Sequence, residues 1–179
     1  MSEADTRIHQ CLDACRQNNR TALVSFITVG DPGPSYSVAA LHSLVAGGVD
    51  ILELGIPFSD PEAEGPSIQA ANERALAHGI TLAQVLQMVE EFRTQDIQTP
   101  VVLMGYLNSV LAMEDFAERA AGAGVDGLIM VNLPPEEGDH LQQKLSANNI
   151  DLIYLLAPTT TDERAMQIAA KASGFIYYV

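Results

Sequence analysis

The sequence is poor in basic residues, has few cysteines and lacks any long apolar run. Lys and Arg together number 9 against 23 Asp and Glu, which gives a formal net charge of −14 at pH 7. Because so acidic a surface repels phosphate backbones and anionic lipid headgroups, we expect neither nucleic acid nor a membrane as a partner. A small anionic substrate is compatible with this charge, since backbone N–H groups can hold an anion locally.

The other absences lead us to expect no targeting segment and argue against a metal centre. No stretch of about eighteen apolar residues is present to span a membrane, and residues 1–5 lack the basic and apolar regions of a signal peptide. Cys11 and Cys15 lie four residues apart and can share one helix face, but a metal site needs more ligands, and His9 is two residues from Cys11. We therefore expect reduced structural thiols, no metal and a cytoplasmic protein.

The chain does contain a regular alternation of short apolar segments and amphipathic segments. The apolar segments, which we interpret as buried strands, cover residues 22–27, 50–54, 101–104, 127–131, 152–156 and 174–179. The helices are predicted at residues 4–18, around 38–45, 67–77, from 82 to about 89, 113–122, from 134 onward and 161–172. Thr81 is a predicted helix N-cap, and Gly47 and Gly48 are predicted to end the preceding helix of residues 38–45.

This alternation predicts one α/β domain over residues 1–179, with parallel strands covered by helices. Two architectures fit, an open doubly wound sheet and a (β/α)8 barrel, and the second normally needs about 250 residues. A doubly wound domain that binds an unrelated small molecule would need a glycine-rich first turn, which residues 30–32 do not supply.

Glu53 is the strongest candidate for chemistry. It lies near the carboxyl end of the second strand, where parallel α/β folds place their active sites. A carboxylate among apolar neighbours is costly unless it is paired or protonated, and its desolvation raises the pKa toward general acid–base work. A solvated edge residue and a buried ion pair are the alternatives. The Pro- and Gly-rich loop of residues 55–66 carries three more acids and strengthens the functional interpretation.

Four segments resemble the tryptophan synthase α subunit family. They are FITVGDP at residues 26–32, LELGIPFSDP at 52–61, GPSIQ at 65–69 and LMGYLN at 103–108. The resemblance runs from about residue 8 to the end of the chain, and the second segment is long and specific. The resemblance implies a TIM (β/α)8 barrel, present here as an incomplete barrel of about six parallel strands.

The resemblance also implies an activity, a partner and a set of site residues. The family is a lyase of tryptophan biosynthesis that cleaves indole-3-glycerol phosphate by a retro-aldol reaction into indole and glyceraldehyde 3-phosphate. It needs no cofactor, and an α2β2 heterotetramer with a β subunit is implied. Glu53 matches the acid–base residue and Glu64 the acceptor of the indole N–H. Phe26, Tyr106 and Tyr177 match the indole pocket, and Pro57 and Asp60 match the loop that touches the β subunit.

The sequence departs from the family pattern in three ways. Residues 62–66 are EAEGP where the family has LADGP, so Glu64 is one methylene longer and Glu62 adds a charge beside it. Asn132 stands where the family often has aspartate. The strands that would follow the sixth, whose loops hold phosphate in many barrels, are missing, so we expect a partial barrel. These departures keep a second hypothesis open, a weakly active or inactive α-like subunit that binds and regulates a β subunit.

Overall fold

The computed structural model describes residues 6–179, and it folds them into alternating helices and strands. Residues 1–5, which we expect not to form a signal peptide, lie outside the described residues, and so do the first two residues of the predicted helix 4–18. The six strands are β1 (Val24–Thr28), β2 (Ile51–Gly55), β3 (Val101–Gly105), β4 (Gly127–Met130), β5 (Asp151–Leu156) and β6 (Ile176–Tyr178). The first four helices are α1 (Arg7–Gln17), α2 (Pro34–Ala46), α3 (Pro66–Ala77) and α4 (Leu82–Arg93).

The second half of the chain holds the remaining helices. They are α5 (Leu107–Leu111), α6 (Phe116–Ala123), α7 (Asp139–Ala147) and α8 (Asp162–Ala169), with a short 3-10 helix at Pro135–Glu137. The caps follow the sequence signals. Thr81 accepts a hydrogen bond from the Gln84 backbone N–H while the Gln84 side chain accepts from the Thr81 N–H, which is a capping box. The predicted end of α2, whose C-cap is Gly47, and the predicted start of α4 after Thr81 are confirmed.

Two elements differ from the sequence prediction. The segment from residue 134 begins as a 3-10 helix, and α7 begins only at Asp139, because consecutive prolines disfavour an immediate α-helix. Helix α5 was not predicted, since five residues are too few to show a helical period. Its start is held from another loop, where Asn132 Oδ1 accepts from the Leu107 N–H at 2.8 Å. That capping contact joins residues far apart in sequence.

The six strands form one parallel sheet whose order follows the chain from β1 to β6. A doubly wound sheet reverses its strand order part-way, so this topology excludes it. Register places Phe26 beside Glu53 and Glu53 beside Val102 on three neighbouring strands. The structure thus confirms the incomplete α/β barrel. The six parallel strands curve into a half-barrel whose two edges are β1 and β6.

Two apolar cores pack against the two faces of the sheet. The larger core packs the outward side chains of the strands against helices α2 to α8. The smaller core lies inside the half-barrel, where Ile8 of α1 packs against Ile51, Val102, Ile129 and Ile153. Helix α1 therefore closes the amino-terminal end of the strands. Between residues 6 and 179, no helix combines the length and apolarity needed to cross a membrane.

A buried ion pair reinforces the same closed end. The Arg93 side chain, 9% exposed, donates to Asp126 at 2.8 Å and to the backbone oxygens of Gly124 and Thr99. Asp126 also accepts from Arg7 of α1 at 2.7 Å. With this end fixed by packing and charge, the carboxyl ends of the strands are the end available for a site.

Candidate active site

Glu53 points into the half-barrel from β2. Its neighbours alternate, with Ile51 in the inner core and Leu52 and Leu54 in the outer core, so Glu53 shares the inner face of the sheet. The residue is 3% exposed, and its Oε1 has no hydrogen-bond partner in the described part of the chain. Burial, followed by the negative charge of Glu64, raises the pKa of Glu53 to about 7. A carboxyl group of this kind can both donate and accept a proton near neutral pH.

Glu64 approaches the same space from the loop of residues 56–65. Its backbone is fixed by two hydrogen bonds, from the Glu64 N–H to Pro61 O at 3.0 Å and from Gln69 Nε2 to Glu64 O at 2.8 Å. Glu64 is partly buried, and this burial raises its pKa. The two carboxyl groups predicted from the sequence are therefore close enough for one to perturb the other.

The three aromatic residues that the resemblance assigns to a ligand pocket lie near these carboxyl groups. Phe26 lies beside Glu53 in the sheet, and it lines a small recess together with Glu64 and Tyr106. Tyr177 is on β6, and its pKa is raised by burial and then by the charges of Glu53 and Glu64. The structure thus brings together all five residues predicted to act on or bind a substrate.

The loop of residues 56–65 is closed over this recess. The ring of Phe58 stacks on Tyr106 with centroids 4.8 Å apart, and the Tyr106 hydroxyl accepts from the Ala63 N–H at 3.0 Å. Asn72 of α3 accepts from the Phe58 N–H at 2.9 Å and donates to Ile68 O at 2.9 Å. The recess encloses about 10 Å³, which is room for roughly one water. In this conformation the recess is too small to hold a bicyclic ligand.

Phe58 and Asn72 were missed by the sequence analysis as site residues. Asn72 is 6% exposed, on the inner side of α3, and its two hydrogen bonds fix the start of the loop. Phe58 lies within the family-like segment of residues 52–61, yet nothing in that segment indicates which aromatic ring it stacks on. Both roles depend on the approach of α3 to the sheet, which periodicity alone does not specify.

The two residues predicted to touch a partner differ in exposure. Asp60 is exposed, and its carboxylate accepts a hydrogen bond from the Ser59 hydroxyl. Pro57 is buried beneath the loop. In this conformation Asp60 is displayed to a partner while Pro57 supports the loop from below, and contact of either residue with a partner stays a prediction.

The departures from the family pattern have local explanations. Asn132 uses its side-chain oxygen to cap α5 at Leu107, so this capping contact needs no carboxylate. Glu62 is exposed, and its charge acts on Tyr106, whereas the charge that raises the pKa of Glu53 comes from Glu64. Burial is what raises the pKa of Glu64, so the expected repulsion from Glu62 is not its cause.

The sequence matches a family and its curated members. The model of the family described as tryptophan synthase alpha chain matches residues 12–179. The chain is 55% identical over 175 residues to the tryptophan synthase alpha chain of Alkalilimnicola ehrlichii, and 54% identical over 176 residues to that of Marinobacter nauticus. These alignments cover 97% of this chain but 64% and 65% of the relatives, so the chain spans slightly less than two thirds of their length.

Solved structures give the same result. The tryptophan synthase alpha subunit of Legionella pneumophila superposes with a TM-score of 0.94 at 49% identity, covering 97% of this chain and 67% of that one. A chain of the Mycobacterium tuberculosis tryptophan synthase in an aminoacrylate-bound form superposes with a TM-score of 0.92 at 37% identity, covering 97% and 71%. Family match, identity and fold agree, and the chain belongs to the tryptophan synthase alpha chain family.

Proposed function

We propose that this chain carries the acid–base part of a lyase site that cleaves indole-3-glycerol phosphate into indole and glyceraldehyde 3-phosphate. The observation that carries the proposal is Glu53, a buried carboxyl group with an unpartnered oxygen and a pKa of about 7. It lies on the inner face of the half-barrel, among aromatic side chains and a second carboxyl group. This combination matches the needs of a reaction that protonates a ring carbon and stabilises charge on a ring nitrogen.

The proposed reaction breaks one carbon–carbon bond and returns its electrons to the ring. Protonated Glu53 donates its proton to the ring carbon that bears the glycerol chain, and Glu64 accepts the hydrogen bond of the ring N–H as positive charge develops there. The resulting Glu53 carboxylate then removes the proton of the adjacent glycerol hydroxyl. That oxygen becomes the aldehyde carbonyl while the bond between ring and side chain breaks, which releases indole and an aldehyde.

Glu64 fits this role with an adjustment. Its side chain is one methylene longer than the aspartate of the family pattern, so its backbone must lie further back for the carboxylate to occupy the same place. The turn from Pro61 to Glu64 and the hydrogen bond from Gln69 fix that backbone position. Because a displacement of about 1 Å can cost roughly a hundredfold in rate, we expect this turn to matter for turnover.

Substrate binding and partner binding are proposed to share the loop of residues 56–65. Phe26, Tyr106 and Tyr177 would contact the indole ring, and displacement of Phe58 from Tyr106 would open the recess. The exposed Asp60 would contact a β subunit, as the resemblance implies for an α2β2 assembly in the cytoplasm. A single loop would then connect the state of the partner to the access of the substrate.

The test is indole release from indole-3-glycerol phosphate, measured with the purified chain in the presence of a tryptophan synthase β chain. Glu53→Gln keeps the shape but cannot transfer the proton, and we expect turnover to fall by about 10²- to 10⁴-fold. Glu62→Gln, on the exposed side of the same loop, is the matched control and should retain turnover. Unchanged turnover in Glu53→Gln would reject Glu53 as the acid–base group.

The second candidate function is an α-like subunit that binds and regulates a β subunit with little activity of its own. The observation that favours it is the closed recess of about 10 Å³ beneath an exposed Asp60. Titration of the chain with a β chain separates the two functions. Binding without indole formation supports regulation, and absence of binding removes this candidate.

A further inference from the structure

A cluster of ligand-type side chains lies at the opposite end of the strands from Glu53. Cys11 and Cys15 come from α1, and Asp50 comes from the residue that precedes β2. Their two Sγ atoms and one carboxylate oxygen all lie within 4.8 Å of one another. Cys15 is 3% exposed, whereas Cys11 and Asp50 are partly exposed, so the cluster is enclosed on one side and open to solvent on the other.

The helix disfavours a disulfide between the two cysteines. Residues four apart on an α-helix hold their Cβ atoms about 5–6 Å apart, whereas a disulfide needs about 3.5–4.5 Å. Oxidation would therefore distort α1, whose inner face packs Ile8 into the core. An ion that bridges two sulfurs relaxes this requirement, because a tetrahedral metal with bonds of about 2.3 Å holds its sulfurs roughly 3.8 Å apart. In this structure the two Sγ atoms already lie within 4.8 Å of each other.

Arg20 holds the carboxylate of Asp50 in place and balances the charge of the cluster. Its guanidinium donates to Asp50 Oδ1 at 2.6 Å and to Oδ2 at 2.7 Å, and the Leu23 N–H donates to Oδ2 at 2.8 Å. A carboxylate has about four lone-pair sites, and a further one faces the sulfurs, where the Cys15 side chain hydrogen-bonds to it. Two thiolates, one carboxylate and a divalent cation sum to a single negative charge, which the Arg20 cation neutralises. Carboxylates that bind metals are usually held in place by such hydrogen bonds from neighbouring groups.

We propose that Cys11, Cys15 and Asp50 form a binding site for a thiophilic divalent cation such as Zn²⁺. Two sulfurs and one carboxylate oxygen supply three tetrahedral positions, and water supplies the fourth. As each metal–sulfur bond forms, the thiol releases its proton to solvent, so binding involves no oxidation or reduction. The bound ion would tie α1, which closes the amino-terminal end of the half-barrel, to the start of β2.

The experiment uses the chain itself with Cd²⁺ as the probe, because cadmium thiolates give a charge-transfer absorbance in the ultraviolet. We expect the absorbance to saturate at one Cd²⁺ ion per chain and to disappear when Zn²⁺ displaces the cadmium. Cys11→Ser and Cys15→Ser should each weaken binding at least a hundredfold, and Asp50→Asn and Arg20→Gln by about 10- to 100-fold. Asp13→Asn, a partly exposed acid on the same helix, is the matched control and should bind as the unmodified chain does.

Each result supports or overturns the site. No saturable band, or a band that survives Cys11→Ser, overturns it. A band that survives Asp50→Asn at full affinity overturns the three-ligand arrangement. Because Cys15 is buried and its substitution can disturb folding, the partly exposed Cys11 is the decisive variant, and helical circular dichroism confirms that each variant is folded. Zinc should also raise the melting temperature of the chain but leave that of Cys11→Ser unchanged.

Discussion

The ring of Phe26 on β1 lies over Gly55 on β2. A Cβ atom built at Gly55 would come within 2.6 Å of Phe26 Cζ and 2.9 Å of Cε2. Only glycine therefore allows the ring to lie at the carboxyl end of β2, two residues beyond Glu53, where it lines the recess. The glycine of the sequence motif serves this close approach between side chain and backbone.

The first prediction compares two glycines of the same region. Gly55→Ala forces the Phe26 ring to move, and we expect a loss of about 1–3 kcal/mol in the free energy of unfolding. Gly65→Ala is the control, because a Cβ there meets nothing within 4 Å, and its only cost is that of alanine in place of glycine at the N-cap of α3, about 0.5 kcal/mol. Urea unfolding of both variants measures the difference. Equal stability of the two would show that the Phe26 ring is free to relocate.

The second prediction concerns the pH dependence of stability through Glu53. Its pKa in the folded chain is about 7 against 4.5 as the ordinary value, so the folded state binds the extra proton. Below about pH 4.5 the folded and unfolded chains both hold the proton, and the burial of Glu53 costs no charge-dependent stability. The free energy of unfolding falls as pH rises through the folded pKa, and the full cost is present above it. A pKa raised by about 2.5 corresponds to a cost on the order of 3 kcal/mol.

Glu53→Gln removes this dependence. Relative to the unmodified chain, the variant should gain stability as pH rises from about 5 to about 8, by urea unfolding at both values. Glu62→Gln, at an exposed position of the loop, serves as the control and should show no such divergence. A stability difference between Glu53→Gln and the unmodified chain that is independent of pH would mean that Glu53 titrates like an exposed glutamate.

The third prediction concerns the closure of the loop. Tyr106→Phe keeps the ring that stacks on Phe58 but removes the oxygen that accepts from the Ala63 N–H. We expect a cost of about 1 kcal/mol and faster hydrogen exchange at Ala63, with little change in the strands. Tyr36→Phe is the matched control, because Tyr36 is 62% exposed on the surface. Unaltered exchange at Ala63 in Tyr106→Phe would show that stacking alone holds the loop closed.

The alternation of apolar and amphipathic segments was sufficient to predict most of the fold. Apolar segments predicted six strands close to their observed bounds, because a strand covered on both faces has to be apolar throughout. Thr81 and Gly47 predicted helix ends, because capping depends on residues adjacent in sequence. The helical spacing of apolar residues did not predict α5, whose capping contact comes from Asn132, twenty-five residues from Leu107.

Some residues of the candidate site could be found from the sequence, whereas the contacts between them could not. Glu53 stood out in the sequence because a carboxylate among apolar residues is costly wherever it folds, and the resemblance to the family pointed to Glu64, Phe26, Tyr106 and Tyr177. The stacking of Phe58 on Tyr106 and the hydrogen bond from the Phe58 N–H to Asn72 were not predicted. These contacts depend on how α3 crosses the sheet, and packing between distant elements sets that arrangement.

The sequence by itself determined the parallel strand–helix architecture and the place of Glu53 within it, because both follow from local patterns of burial and from a long specific motif. Only the tertiary structure decided that the loop is closed over the recess and that Asp50 joins Cys11 and Cys15. From the sequence the two cysteines lacked a third ligand, since Asp50 lies thirty-five residues beyond Cys15. The pairing of strands brings such distant residues together, and their separation along the chain carries no signal of it.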